Sequence, residues 1–191
     1  LGCYFSHLNV LKKFLKTEEN FALVCEDDIE FNENIVEIIN GALESRISFD
    51  LLRLSGGSDR KKEKGMPLKL EKIYNGFFLS LNFGFKPGTG CYLINKKVAK
   101  KIVEGINKMS LPIDHAMDRD WVLNIRSLSI SPSPVYLKEE LHLDNSYIQA
   151  KNEFKLPFYK RYWVMVPYRF ANEMLRLFYK LFLFIKIKIE S

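Results

Sequence analysis

The chain has 191 residues, 47% hydrophobic and 27% charged, a composition typical of one globular domain with a real core. Its formal net charge is +6, but seven lysines and arginines and two acids lie within residues 158–191, so the remainder is nearly neutral. That excludes a nucleic-acid-binding surface on the body by charge.

Three scattered cysteines without a CxxC pair argue against a zinc site or disulfide framework and indicate a reducing compartment. Because the chain starts at Leu1 without a secretory signal, we expect an N-terminal segment to be missing.

The predicted elements mix helices with strands. Apolar periodicity and turn signals predict, in chain order, a helix over 6–16, a strand over 21–25, a helix over 34–45, strands over 49–54, 69–74, 77–85 and 91–94, and helices over 96–107 and 112–126. Asn75-Gly76 is a hairpin-turn signal, and Asn95 is expected to cap the helix that follows it. This order predicts an α/β domain with a mixed sheet.

Three consecutive acids, Glu26-Asp27-Asp28, directly follow the apolar run 21–25. The run predicts a buried strand whose carboxyl end opens at a site. Adjacent carboxylates repel one another unless a cation or hydrogen-bond donors satisfy them, and hard oxygen ligands suit Mg²⁺ or Mn²⁺. The motif therefore indicates an enzyme that handles a nucleotide-linked substrate. Solvated turn residues or helix-capping acids are the alternative interpretation.

Two other segments carry candidate site residues. Gly88-Thr89-Gly90 precedes a strand, which predicts either a tight turn or a close approach of the backbone to a ligand. Asp114 and Asp118 are four residues apart and would share one face of the predicted helix, where they either serve a site or complement the helix N-terminus. The charged segment 58–65 predicts a flexible loop that meets solvent or a phosphate-bearing substrate.

The composition changes after Ala150, which divides the chain into residues 1–150 and a tail, residues 151–191. A helix from about Phe170 would place four residues on one face, namely Arg169, Glu173, Arg176 and Lys180. No uncharged apolar run reaches the ~20 residues that a bilayer span needs. A basic amphipathic helix on an anionic membrane is the favoured interpretation, and a helix packed on the preceding domain or on a dimer partner is the alternative.

Four segments in order resemble glycosyltransferase family 25, the lipooligosaccharide galactosyltransferases of bacteria and their relatives. They are Gly2-Cys3-Tyr4-Phe5-Ser6-His7, the strand with Glu26-Asp27-Asp28, Gly88-Thr89-Gly90-Cys91-Tyr92-Leu93-Ile94, and Leu111-Pro112-Ile113-Asp114-His115. Asp144-Asn145-Ser146-Tyr147-Ile148 resembles a weaker trace of the motif that closes the catalytic domain. The resemblance covers roughly residues 1–150. It implies a GT-A-like mixed sheet flanked by helices, a UDP-hexose donor such as UDP-galactose, Mn²⁺ or Mg²⁺, and a saccharide acceptor, which we expect to be lipid-linked.

The resemblance also implies roles for individual residues. Asp28 and Asp27 would bind the metal, and His7 would orient these carboxylates or serve as a structural histidine. The donor would contact Glu26, Asp27, Gly88, Thr89 and Ser146. Asp114 is the candidate catalytic base for an inverting transfer, and Asp120 is the reserve.

The resemblance places the protein in the cytoplasm, peripheral on the inner face of the cytoplasmic membrane. The rival interpretation is a truncated or non-catalytic relative that binds saccharides or nucleotide sugars at the membrane surface.

Overall fold

The computed structural model describes residues 2–55, 66–86, 88–106, 111–138 and 158–190. The helices are α1 (Gly2–Phe14), α2 (Ile35–Leu43), α3 (Lys96–Gly105), α4 (Ile113–Met117), α5 (Asp120–Leu123) and α6 (Phe158–Glu190). The strands are β1 (Phe21–Cys25), β2 (Ile29–Phe31), β3 (Leu51–Arg53), β4 (Pro67–Tyr74), β5 (Phe77–Asn82), β6 (Cys91–Asn95), β7 (Ser127–Ser131) and β8 (Val135–Leu137). The predicted charged loop 58–65 and the segment 144–148, with Ser146, lie outside the described residues.

Six of the strands form one mixed sheet in the order β1-β6-β3-β7-β5-β4, and β2 pairs separately with β8. β3 and β7 run parallel, while the other neighbours in the large sheet run antiparallel. β6 lies between β1 and β3 and runs antiparallel to both. The carboxyl ends of β1 and β3 therefore meet the amino end of β6 at one edge of the sheet. The predicted α/β class with a mixed sheet is confirmed.

Both faces of the sheet are covered by helices. Neighbouring residues along a strand point to opposite faces, so they join different clusters. Leu51 and Tyr92 face a cluster built with α1, α3 and α4, whereas Leu52 and Leu93 face a cluster built with α2 and the end of α6. This arrangement explains why the central strands are apolar on both faces.

Several local predictions are confirmed. The chain turns at Asn75-Gly76 between β4 and β5, with Gly76 at φ +79°, where glycine is favoured. The Asn95 side chain accepts a hydrogen bond of 2.8 Å from the backbone N–H of Val98, so Asn95 caps α3. The strand predicted for 77–85 ends earlier, at Asn82.

The single helix predicted over 112–126 is wrong. The chain forms two short helices, α4 and α5, with Asp118 and Arg119 between them. Asp118 and Asp120 are both buried and pair with basic side chains of α6. Both acids point inward to meet their partners on α6. Residues two positions apart on one continuous helix do not share a face, so such a helix could not bury both acids against α6.

Helix α6 packs on the domain through the face that carries Arg176 and Lys180. Leu183 and Ile187, further along the helix, join the core of the sheet. Two of the basic residues expected on a free face are therefore buried against the protein. The predicted division at residues 150 and 151 lies outside the described residues. Within the described part of the chain, no helix combines the length and hydropathy that crossing a bilayer requires.

Candidate functional site

A cavity of about 360 Å³ opens at the sheet edge where β1 and β3 end and β6 begins. The start of α1, the start of α4 and strand β8 complete its wall. Several of the predicted site residues line it, namely Glu26, Asp28, Gly88, Thr89 and Asp114. The topology thus brings together residues that are far apart in the sequence.

Glu26 is held by two hydrogen bonds that converge on its Oε1 atom. His7 donates from Nε2 at 3.2 Å, and the Thr89 hydroxyl donates at 2.9 Å. The hydrogen bond from His7 lowers the pKa of Glu26, against the opposing effect of burial, and the bond from Thr89 lowers it further. Glu26 is therefore fixed in position and kept ionised.

His7 is itself held in place by Tyr92. Its Nδ1 atom lies 3.0 Å from the hydroxyl of Tyr92, and the two rings stack. An ionised carboxylate can only accept a hydrogen bond, so Nε2 of His7 carries the hydrogen and donates it in the bond to Glu26. Burial raises the pKa of Tyr92, which keeps its hydroxyl protonated beside the imidazole. His7 thus orients Glu26 rather than Asp27 or Asp28, the carboxylates predicted to bind the metal.

Asp28 lies on the cavity wall and carries an unsatisfied acceptor. Its Oδ1 atom is buried and has no hydrogen-bond partner among the described residues. The backbone of Asp28 is fixed, because its carbonyl accepts from the N–H of Lys138 at 2.9 Å. A buried carboxylate oxygen without a partner is costly unless a ligand or a cation completes it.

Asp27 is exposed and lies beside the cavity rather than in its wall. It lines a neighbouring depression with Glu26, Asp28 and His7. Asp28 therefore lines both the cavity and the depression, whereas Asp27 lines the depression alone. The potential ligand atoms of Cys3, His7 and Glu26 also lie within 4.8 Å of one another, but both ring nitrogens of His7 already have partners.

The Gly88-Thr89-Gly90 turn forms another part of the cavity wall. Gly88 has φ +90°, a conformation that favours glycine. Arg53 donates from Nη1 to the carbonyl of Lys86 at 2.8 Å and to that of Gly88 at 3.3 Å, which fixes the approach to the turn. The turn then places Thr89 against Glu26 and brings Gly88 and Gly90 to the cavity wall.

Asp114 stands at the first turn of α4 on the cavity wall. Its Oδ1 atom accepts a hydrogen bond of 2.9 Å from the backbone N–H of His115. The side chain is only partly buried, so a substrate hydroxyl can reach it. Its position on the wall of the cavity that Glu26 and Asp28 also line is compatible with the predicted role of base.

The model of glycosyltransferase family 25 (LPS biosynthesis protein) matches residues 1–117, more than half of the chain. The chain belongs to this family. The matched segment includes the acidic motif, the glycine turn and Asp114, and thus most of the cavity wall. No curated protein matches the chain.

Asp120, the reserve base, is not part of this family 25 cavity. Its side chain is buried and forms an ion pair with Lys180 of α6. Burial raises the pKa of Asp120, and the Lys180 ammonium offsets part of that rise. An acceptor hydroxyl has no access to this carboxyl, so the structure contradicts the reserve assignment.

Sequence reasoning missed several residues of this cavity. They are Cys3, Tyr4, Ser55, Tyr136 and Leu137. Cys3 and Tyr4 stood within a segment of the resemblance, which could have marked them. Tyr136 and Leu137 reach the site through the pairing of β8 with β2, a long-range contact of short strands that leaves no pattern in the sequence.

Proposed function

We propose that this glycosyltransferase moves galactose from UDP-galactose to a lipooligosaccharide acceptor, with inversion and with a divalent cation. Membership of the family establishes the coarser activity, glycosyl transfer in LPS biosynthesis from a nucleotide sugar to a saccharide. One observation supports the cation in this proposal: Asp28 lies on the cavity wall, and its buried Oδ1 atom has no hydrogen-bond partner among the described residues. The choice of galactose, the acceptor and inversion rest on the resemblance to the family.

The residues present fit Mn²⁺ or Mg²⁺. Asp28 offers an oxygen without a partner, and Asp27 offers an exposed carboxylate from the adjoining depression. Glu26 is already committed to His7 and Thr89, which suits a role in supporting the site or contacting the donor. When bound, the cation would supply Lewis-acid stabilisation of the departing diphosphate.

Asp114 is our proposed base. In a single in-line displacement, the acceptor hydroxyl oxygen bonds to the anomeric carbon while the bond from that carbon to the diphosphate oxygen breaks. UDP leaves with the electron pair, and Asp114 takes the hydroxyl proton. Asp114 lines the same cavity as Asp28, at the first turn of α4, and this supports the role.

We further propose that α6 holds the enzyme peripherally on the inner face of the cytoplasmic membrane. Trp163, Phe170, Phe178, Phe182, Ile185 and Ile189 are exposed on α6. At 3.6 residues per turn they share one side of the helix, opposite the buried Leu183 and Ile187. A lipid-linked acceptor would lie within reach of such an enzyme.

The test of the enzymatic proposal is hydrolysis and transfer by the full chain with a panel of UDP-sugars and Mn²⁺. UDP-galactose should be consumed, and Asp28→Asn should remove turnover while leaving the thermal unfolding temperature nearly unchanged. Glu37→Gln is the control, since Glu37 is an exposed acid on α2, away from the cavity.

Near-normal turnover of Asp28→Asn would remove Asp28 from the site. If the full chain bound UDP-sugars or saccharides with no turnover of any donor, the binding-module interpretation would replace the enzymatic one.

A further inference from the structure

A second cavity, of about 570 Å³, lies between α6 and the segment that leads into α4 and α5. Pro112 lines both this cavity and the first one, so the two spaces adjoin at the start of α4. Asp114 faces the first cavity, and His115, the next residue, faces the second. A molecule in the second cavity would therefore lie next to the proposed base.

The wall offers aromatic surface. The rings of Phe85 and His115 stack with their centroids 4.5 Å apart, and His115 is exposed. Tyr168 of α6 contributes a third aromatic side chain, and Asn172 contributes an amide. Aromatic rings beside a few polar groups suit a ligand with both apolar and hydroxyl-bearing surfaces, such as a sugar ring.

The wall also carries an excess of positive charge. Arg119, Arg169 and Arg176 line the cavity, whereas Glu173 is the acid among its described lining residues. Arg176 is only 5% exposed and is paired with two acids, Asp118 at 2.7 Å and Glu173 at 2.5 Å. Among the described residues, the buried Nε atoms of Arg119 and Arg176 have no hydrogen-bond partner.

We propose that this second cavity is the acceptor subsite and that it binds a saccharide bearing an anionic group, a carboxylate or a phosphate. Planar guanidinium groups bind both anions through paired, charge-assisted hydrogen bonds. Because Glu173 and Asp118 balance the charge of Arg176, the positive charge that favours an anionic ligand over a neutral one is that of Arg119 and Arg169. The term acceptor rests on the proposed function; the binding of an anionic sugar does not.

The test uses two matched ligand pairs and the full chain, with binding measured by ligand-detected NMR. Methyl galactopyranosiduronate is compared with methyl galactopyranoside, and glucose 6-phosphate with glucose. We expect the charged member of at least one pair to bind about tenfold or more tightly, since hydrogen bonds to charged groups are the stronger ones. The pair that shows the preference identifies the anion.

Two variants locate the binding. Arg169→Gln and Arg119→Gln should each weaken the charged ligand about tenfold and leave the neutral one nearly unchanged. Arg46→Gln makes the same change of charge at an exposed arginine elsewhere and should have no effect. Equal binding within both ligand pairs would overturn the proposal, as would unchanged binding in both arginine variants.

A third variant separates this inference from the proposed function. Asp28→Asn should keep its affinity for the charged sugar, because Asp28 lies in the other cavity. If no UDP-sugar were turned over while the charged sugar still bound through Arg169, the proposed function would fail and the anionic subsite would stand. Loss of charged-sugar binding in Asp28→Asn would instead contradict a separate subsite.

Discussion

Glu26 is the residue at which the fold most directly sets the charge of the site. His7 and Thr89 donate to one of its oxygens, and the bond from His7 is the main cause of its lowered pKa. A carboxyl with a lower pKa in the folded state contributes stability above its unfolded value of about 4.5. That contribution is lost as the pH falls below 4.5 through the folded pKa.

Replacing Glu26 by Gln should therefore lower the unfolding temperature at pH 7 and lower it less at pH 3. The amide oxygen still accepts from His7 and Thr89, but hydrogen bonds to a neutral acceptor are weaker. Thermal unfolding of both proteins from pH 7 to pH 3 measures the difference. A gap that stays constant over this range would show that the charge of Glu26 contributes nothing to stability.

Asp114 should matter for the chemical step and little for stability. Asp114→Asn keeps the shape and the acceptor for the N–H of His115 but removes the proton acceptor, so turnover should fall by ~10²–10⁴-fold. Donor affinity should barely change. Steady-state kinetics with separate measurement of UDP-galactose binding checks this, and a collapse of donor affinity would make Asp114 a donor-binding residue.

The acids of the site were visible in the sequence, but their surroundings were not. Glu26, Asp27 and Asp28 stood out because they follow an apolar run, and Asp114 stood out because it belongs to a segment of the resemblance. Which acid meets which base depends on long-range packing. Asp114 and Asp120 were both candidate bases in the sequence. Asp120 is buried in an ion pair with Lys180, which is distant along the chain and could not be assigned as its partner from the sequence.

At the scale of elements, two buried ion pairs fasten α6 to the loop and helix after α4. Arg176 pairs with Asp118, and Lys180 pairs with Asp120 while also donating to the carbonyl of Ser127 at 3.1 Å. Removing one member of a buried pair leaves an unpaired charge, which typically costs about 3–5 kcal/mol. The pairs therefore specify where α6 lies.

Lys180→Met should lower the free energy of unfolding by about 3–5 kcal/mol at pH 7, as measured by urea unfolding. The orphaned Asp120 would have a raised pKa in the folded state. The unfolded state then ionises first, so the loss should be larger at pH 7 than at pH 4.

Two comparisons accompany the Lys180 variant. Lys186→Met, on the exposed side of the same helix, should cost less than about 1 kcal/mol. Adding Asp120→Asn to Lys180→Met should restore part of the lost stability, because the buried charge disappears. A Lys180→Met protein as stable as the parent would show that the pair does not hold the helix.

Helices α3 and α6 illustrate what element-level patterns can and cannot predict. Asn95 and the apolar spacing of α3 are local signals, and the structure confirms both the cap and the buried face. The amphipathic character of α6 was also visible. Its orientation was not, because charged residues such as Arg176 normally mark an exposed face, and here buried acids reverse that rule.

For the whole molecule, the sequence predicted the class of fold but not the order of strands. Class follows from the succession of helical and strand patterns, which is local. Which strands lie next to each other depends on pairings such as that of β3 with β7, whose residues are far apart along the chain. The site at the sheet edge is a consequence of that adjacency, so its full wall could only be seen in the structure.

Membrane contact is the prediction that involves the whole molecule. Lys186 and Lys188 are exposed on α6 and flank the side that carries Phe178, Phe182 and Ile185. Basic residues near an anionic surface contribute about 1 kcal/mol each, and exposed apolar side chains can insert into the acyl boundary. Deleting α6 is an unsuitable test, because Leu183 and Ile187 belong to the core.

Substitution of surface residues avoids that difficulty. The triple variant Phe178→Ser, Phe182→Ser and Ile185→Ser should reduce cosedimentation with phosphatidylglycerol vesicles at least about tenfold, while Val36→Ser on α2, also exposed, should not. High salt should weaken binding by the parent without abolishing it, since screening acts on the lysines and not on the apolar side chains. Unchanged sedimentation of the triple variant would refute the proposal. A parent dimer that the triple variant dissociates, with no vesicle binding by either, would assign this side of α6 to a second copy of the chain instead.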